Sequence, residues 1–451
     1  METKAISFGG SLSVPCVQEL ANRPLTSVPP RYVHHYQDPP IISLNSSSPQ
    51  VPVIDMQRLL SVDFKDSELH KLDCACKDWG FFQLINHEVS SCLVEKFKSE
   101  IGDFFKLPIE EKNKYKQQEG DVEGYGNAFV VSEEQKLDWG DMLYFTTLPI
   151  HLRKPHLLPN LPLSFREILE AYSAELKSLS LKILRLMAQS LRMEENDMAV
   201  LFEEGWQSMR MNYYPPCPQP EVAVGLCPHS DASGITILLQ ISEVEGLQIR
   251  KDGMWIPVKP LPNAFIINIG DALEIVSNGA YRSIEHRATV NSIKERLSVA
   301  TFYAPKLDEE IGPAPSLLTP ETPAIFRRTG AKDYYKGRFS QLQKLDQACR
   351  DWGFFQLKNH HVSSSLLGKL KLETEEFFKL PMEEKMSKNG QQQGDVEGYQ
   401  KFNWGDKLYF TTSPPHLRKP NLFDNLPPSF WFSFSLFLNN YTDLFEFLDL
   451  A

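Results

Sequence analysis

Apolar side chains recur with helical spacing through residues 164–193, where Ile168, Tyr172, Leu176, Leu179, Ile183, Leu186 and Met187 fall on one stripe. The pattern predicts a long helix with one buried face. Ser164 and Glu167 have the spacing of a capping box, in which hydroxyl and carboxylate each satisfy an unpaired backbone amide, so the helix is predicted to begin there. Earlier signals are shorter. Residues 53–55 read as a strand, residues 68–76 as a helix, and Gly80 opens the apolar run FFQLIN. From about 209 to 304 short β-prone runs alternate with turn residues: ITILLQI, GLQIR, WIPVKP, AFIINIG, ATV and LSVATFYA. Helices followed by an all-β block predict an α+β fold, with a double-sheet jelly roll as the form of the β block. Residues 1–50 are rich in Pro and Ser and show no period, so they are predicted to be a leader that is partly ordered at best.

The last third of the chain repeats an earlier part of it. DWGFFQLINH at 78–87 returns as DWGFFQLKNH at 351–360, and FFKLP at 104–108 returns at 377–381. GDVEGY, WGDMLYFTT and HLRKP at 120, 139 and 151 have counterparts at 394, 404 and 416. Two copies so far apart are not a solenoid, which stacks three or more short units. They read as a partial second copy of the helical N-terminal region over residues 341–430, followed by an aromatic-rich tail at 431–451 that has no counterpart.

Composition narrows the function classes. The chain has 451 residues, 42% hydrophobic and 23% charged, which suits a globular protein with a real core. A net charge of -11 with no local basic patch argues against nucleic acid as a partner. Seven cysteines without a C-x-x-C pair do not form a disulfide framework, and a reducing, cytoplasmic setting fits them. No run approaches the roughly 18 apolar residues of a membrane span, and the N-terminus lacks the pattern of a secretory signal. A monomer is the simplest expectation.

The chemistry concentrates in GLCPHSDASGITILLQ. His229 and Asp231 are two apart, and on extended chain such residues share a face. His286 follows in the β-like YRSIEHRATV. Two imidazoles and one carboxylate make the facial triad that leaves open positions on Fe(II) for a chelating cosubstrate and dioxygen. H-x-D alone is weak, since it arises often by chance. It gains weight from Arg296 and Ser298, ten and twelve residues beyond His286, because a guanidinium fork binds a carboxylate through two parallel bonds. Asn212 and Tyr214, just before PPCP, add hydrogen-bonding groups. Phe302 and Tyr144 lie near these segments and are candidates for substrate contact, whereas Trp79, Phe81, Phe82, Cys217 and Cys227 read as packing.

Taken together, NYYPPCPQPE, PHSDASGITILLQ, NIGDALEIVSNG, YRSIEHRA, ERLSVATFYAP and the N-terminal DWGFFQLINH resemble the plant iron(II)- and 2-oxoglutarate-dependent dioxygenases, in the branch of the senescence-related-gene proteins and codeine O-demethylase. The resemblance spans about residues 30–340. It implies a double-stranded β-helix, a distorted cupin-like jelly roll, holding Fe(II) through His229, Asp231 and His286. It implies that Arg296 and Ser298 bind the far carboxylate of 2-oxoglutarate, assisted by Asn212 and Tyr214. It further implies ascorbate as a supporting reductant, dioxygen as cosubstrate, and hydroxylation or oxidative demethylation of a small plant metabolite. The expected organisation is a leader (1–50), an N-terminal dioxygenase domain (51–155), connecting helices (156–205), the jelly roll (206–306) and a C-terminal segment of the core (307–340), then the partial copy. Family members usually continue after YYKG with a C-terminal helix, where this chain enters the repeat. A second reading is therefore a catalytically impaired or purely binding member, the product of a fused or misread gene, because the partial copy has no H-x-D, distal His or R-x-S. A third, a metal-dependent hydrolase on a jelly roll, would have no use for the Arg296/Ser298 pair.

Overall fold

The computed structural model describes residues 11–34, 49–118, 120–127, 130, 132–133, 135–337, 364–389, 398–402 and 405–409. Contacts divide the chain into two units, Met1–Asp346 and Gln347–Ala451, each considered by itself.

The first unit is built on an eight-stranded sheet. Across it run β1 (Val53–Asp55), β2 (Phe81–Ile85), β10 (Phe265–Ile269), β7 (Ile235–Gln240), β12 (Arg296–Ala304), β5 (Trp206–Tyr214), β4 (Asp141–Leu148) and β3 (Gly124–Gly126). All neighbours are antiparallel except β1 and β2. A four-stranded sheet has the order β6 (Val224–His229), β11 (His286–Thr289), β8 (Leu247–Lys251), β9 (Met254–Pro257). The two sheets meet through Leu247, Ile249 and Ile256 on one side and Phe81 and Ile266 on the other. The expected α+β fold with a jelly-roll core is present. One part of the expectation changes: strands β1 to β4 precede the long helix in sequence, so the N-terminal region is not purely helical but supplies half of the large sheet.

Alternation along the strands gives that sheet two different faces. Met209, Met211, Tyr213, Ile235, Ile237, Leu239, Leu297 and Val299 pack into the main core, closed by Leu169, Tyr172, Leu176, Ile183 and Met187 of the helix Leu163–Ser190. Each such residue, fully buried, contributes about 1.5–3 kcal/mol. The intervening residues face the other way, and many of them are polar: Ser208, Arg210, Asn212 and Tyr214 on β5, Thr236 and Gln240 on β7, Asn268 on β10, Arg296 and Ser298 on β12. Buried polar groups need partners, so this inner face is where function is to be sought.

The long helix begins at Leu163, one residue before the predicted start, with Pro162 at its cap and no side-chain capping bond. The Ser164/Glu167 box is therefore not used; both residues are exposed, Ser164 in the first turn and Glu167 beyond it, and proline's fixed φ supplies the entry. The helix expected at 68–76 runs instead over Lys65–Cys74 and widens into a turn at Ala75–Trp79. Gly80 ends that turn at φ +60, and a Cβ there would lie 2.4 Å from the Arg282 carbonyl oxygen, so only glycine admits this entry into β2.

Part of the leader is built into the unit. The backbone amides of Val17 and Gln18 open a short helix, Val17–Ala21, and donate to the two carboxylate oxygens of Asp141 on β4 at 2.9 and 2.7 Å. Val17 and Tyr32 then join Trp139, Cys217 and Ala223 in a small separate core.

In the second unit the helices Ser364–Lys379 and Met382–Asn389 precede a hairpin of Gly398–Phe402 and Gly405–Tyr409. Phe377 and Tyr399 are buried there, and Lys385 Nζ donates to the Phe378 carbonyl at 3.0 Å and lies 5.0 Å from the Tyr399 ring centre. Lys112 does the same in the first unit, with the Phe105 carbonyl at 3.3 Å and the Tyr125 ring at 5.6 Å. DWGFFQLKNH at 351–360, HLRKP at 416–420 and the tail at 431–451 lie outside the described residues.

Candidate active site

His229 is the last residue of β6 and His286 the first of β11, and the two are cross-strand partners with ring centres 4.2 Å apart. Asp231 lies in the loop just after β6 rather than on the strand itself, and hydrogen bonds to two strands of the opposite sheet aim it back at the imidazoles. Its Oδ1 is 3.6 Å from His229 Nε2 and 3.8 Å from His286 Nε2. The sequence-predicted triad is thus assembled, with all three ligand atoms within 4.8 Å of one another.

The surroundings leave those atoms free to bind. His229 Nδ1 meets the Cys227 carbonyl at 2.8 Å and His286 Nδ1 the Ile284 carbonyl at 3.1 Å. A carbonyl only accepts, so each Nδ1 carries the proton and each Nε2 presents its lone pair. Asp231 Oδ2 accepts from Thr236 Oγ1 at 2.6 Å and Asn268 Nδ2 at 2.8 Å, which keeps Oδ1 for a metal. Burial, then the neighbouring His286, hold the His229 imidazole down to about 3, far below its ordinary value, so it is neutral at pH 7. Burial alone would raise the Asp231 carboxyl, but His286 and His229, with the Thr236 and Asn268 bonds, outweigh it and hold it low and ionised. Two imidazole nitrogens and one anionic oxygen suit Fe(II), and the donors stand on one side of the position they define. Asn268→Ala removes one of the two bonds that orient Asp231. Iron affinity is expected to fall about 10- to 100-fold, read by metal titration of the apoprotein; unchanged affinity would remove Asn268 from the site.

The second half of the site is a buried pocket around Arg296 that suits an anion. Arg296 pairs in register with Tyr214, and Ser298 with Asn212. The Arg296 side chain is buried, donating to Gln240 Oε1 at 2.9 Å and Ser298 Oγ at 3.3 Å, with its guanidinium 5.3 Å from the Tyr214 ring centre. These partners are neutral, Arg296 Nε has none, and burial lowers the pKa of the guanidinium. Asn212 Oδ1 is likewise buried and unpartnered. Gly246 leaves room for this side chain: a Cβ there would come within 2.7 Å of Arg296 Cδ. A buried cation held by neutral groups is costly until an anion arrives, and a carboxylate fits its fork.

Sequence reasoning missed Thr236, Gln240, Asn268 and Arg210. The first two fall inside the quoted GITILLQ run and Asn268 in AFIINIG, where strand alternation assigns them to the inner face once the register is known. Arg210 precedes Asn212 by two residues on β5. It is half-buried, its Nε is buried and unpartnered, and its charge acts on Asp138, Tyr144 and His229. Tyr144 and Phe302 share this inner face, with ring centres 6.5 Å apart, and Tyr144 donates to Ser208 Oγ at 3.2 Å. Phe81 is buried as expected, and it also braces the His286 ring edge-on at 5.3 Å.

A metal triad and a buried arginine suited to a carboxylate, on the inner face of a jelly roll, fit a 2-oxoglutarate-dependent oxygenase, and comparison with known proteins agrees. The chain belongs to the 2OG-Fe(II) oxygenase superfamily, whose sequence model matches residues 205–305, and the model of the non-haem dioxygenase in morphine synthesis N-terminal region matches residues 51–161 and 330–431. It is 58% identical to oxoglutarate-dependent flavonoid 7-O-demethylase 1 of Ocimum basilicum, over 75% of this chain and 90% of that one. It is 54% identical to codeine O-demethylase of Papaver somniferum, over 77% and 97%. Among solved structures, JOX2 in complex with 2OG, Fe and JA superposes with a TM-score of 0.63 at 37% identity, covering 74% of this chain and 93% of that one. The chain is an oxidoreductase that uses Fe(II) and 2-oxoglutarate. Among the described residues no helix is long and apolar enough to cross a membrane.

Proposed function

We propose that the chain removes a methyl group from an O-methylated aromatic plant metabolite, with His229, Asp231 and His286 holding Fe(II) and with Arg296 and Ser298, assisted by Asn212 and Tyr214, holding 2-oxoglutarate. The observation that carries the cofactor assignment is the buried Arg296, partnered only by neutral groups, on the same inner face as the Thr236 and Asn268 that hold Asp231. The substrate class rests on the high identity to two O-demethylases, one named for a flavonoid and one for codeine. Hydroxylation at the same site is the broader form of the reading.

Bound iron supplies coupled oxidation: 2-oxoglutarate loses carbon dioxide to give succinate, and one oxygen atom of dioxygen enters a substrate C–H bond. The chain's own groups do the rest. The Arg296 fork fixes the cosubstrate, the Nδ1 bonds to Cys227 and Ile284 fix both imidazoles, and Tyr144 and Phe302 supply aromatic wall for the substrate ring. Oxygen insertion at a methoxy carbon gives a hemiacetal, which separates into a phenol and formaldehyde. Arg210 faces the substrate space as a cation and suits an acidic phenol or another oxygen acceptor. The enzyme is proposed to act as a monomer in the cytoplasm.

Formaldehyde release that depends on 2-oxoglutarate, measured across O-methylated flavonoids and alkaloids, tests this reading. Stoichiometric formaldehyde and succinate support it; succinate with a hydroxylated product that keeps its methyl group replaces demethylation by hydroxylation. Arg210→Gln is expected to lower kcat/KM for a phenol-bearing substrate by about 10- to 150-fold, the loss of one charge-assisted bond of about 1.5–3 kcal/mol. Turnover of 2-oxoglutarate without substrate should be unaffected. An equal loss for substrates with and without the acidic group would end the role given to Arg210.

A further inference from the structure

A second group of metal-binding side chains converges outside the triad. His34, Asp138 and Cys227 each offer one ligand atom, and these atoms lie within 4.8 Å of one another. They come from three segments far apart in sequence: the leader, the loop before β4, and β6. We propose that they form a second metal site, for a zinc-like divalent cation, which ties the leader to β6 beside the catalytic centre.

The supporting contacts position these side chains and bring their donor atoms together. The His34 amide donates to the Val222 carbonyl at 2.8 Å, and His34 Nε2 meets the Leu137 carbonyl at 3.1 Å, which leaves Nδ1 with its lone pair. The Leu137 amide in turn donates to the Arg31 carbonyl at 2.9 Å, which fixes the leader against the loop that carries Asp138. Asp138 Oδ1 accepts from the Cys227 amide at 3.0 Å, and the Cys227 thiol also bonds to the Asp138 carboxylate, a contact whose proton a metal ion would replace. One sulfur, one nitrogen and one oxygen donor match zinc or cobalt(II), with a fourth position for water. Calcium and magnesium prefer all-oxygen sites. Arg210 acts on Asp138 as a nearby cation. Cys227 is two residues from His229 and its carbonyl holds His229 Nδ1, so occupancy bears directly on how that imidazole is held.

Cobalt(II) titration of the metal-free, full-length chain tests the proposal. Two ions per chain are expected, and the second should bring a thiolate-to-cobalt charge-transfer band in the near ultraviolet. The triad has no sulfur and cannot produce that band. Cys227→Ser should lose the band and one equivalent, while His229→Ala loses the other equivalent and keeps the band. If Cys227→Ser fails to fold, His34→Gln serves instead, with cobalt affinity at the thiolate site reduced about tenfold or more. Zinc should bleach the band by displacement. A single equivalent without a band, or a band that survives Cys227→Ser, overturns the proposal.

Discussion

His229→Ala or Asp231→Ala is expected to abolish 2-oxoglutarate turnover by emptying the iron site. The three donors come from a strand end, a loop and a second strand, and each is oriented by a separate hydrogen bond. Removing one leaves two donors and a water-filled position, too few to hold Fe(II) in the one-sided geometry the triad provides. Asp231→Ala has a further cost. Thr236 Oγ1 and Asn268 Nδ2 lose their acceptor inside a buried site, at about 1–3 kcal/mol each. The apoprotein should therefore unfold at lower temperature in Asp231→Ala than in His229→Ala. Metal analysis after reconstitution, beside a thermal scan, reads both effects. Full iron content with wild-type turnover in either variant would show that the triad is not the metal centre.

Arg296→Leu is expected to raise the KM for 2-oxoglutarate by about 10²- to 10⁴-fold. Two charge-assisted bonds of about 1.5–3 kcal/mol each are lost, and each 1.4 kcal/mol is a factor of ten. At saturating 2-oxoglutarate kcat should change far less, because in the proposed role Arg296 holds the end of the cosubstrate remote from the reacting bond. Arg296→Lys should recover only part of the affinity, since an ammonium group does not reproduce the planar fork. Stability should move the other way. Arg296 is a buried cation with neutral partners, so leucine removes a desolvation cost and the free protein should be no less stable. Adding 2-oxoglutarate should then raise the melting temperature of the wild type and leave the variant unmoved. An unchanged KM would place the cosubstrate carboxylate elsewhere.

The parts of this site legible in the sequence were those fixed by short spacing. His229 and Asp231, Arg296 and Ser298, and Asn212 and Tyr214 are each two apart, and the structure brings all six to one side of the jelly roll with His286. The long helix was legible for the same reason, because its buried stripe is a local pattern. What escaped depends on pairing between distant segments. Asn268 reaches Asp231 only because β10 lies beside β7, and Gln240 reaches Arg296 only because β7 lies beside β12. Nothing in FIINIG or TILLQ marks those residues as different from other strand polars. The capping of a leader helix by Asp141, 124 residues beyond Val17, is a contact of the same kind. So is the entry of β1 to β4 into the large sheet: an apolar run such as FFQLI shows that it is buried, not which strand it will lie against.

The most direct measurement is succinate formation by the purified full-length chain with Fe(II), ascorbate and 2-oxoglutarate, run beside His229→Ala and a chain ending at Ser340. Turnover in the full-length protein that disappears with His229→Ala is the predicted result; equal succinate from His229→Ala, or none from either active-site-intact chain although both bind iron and 2-oxoglutarate and are offered O-methylated substrates, would contradict the account.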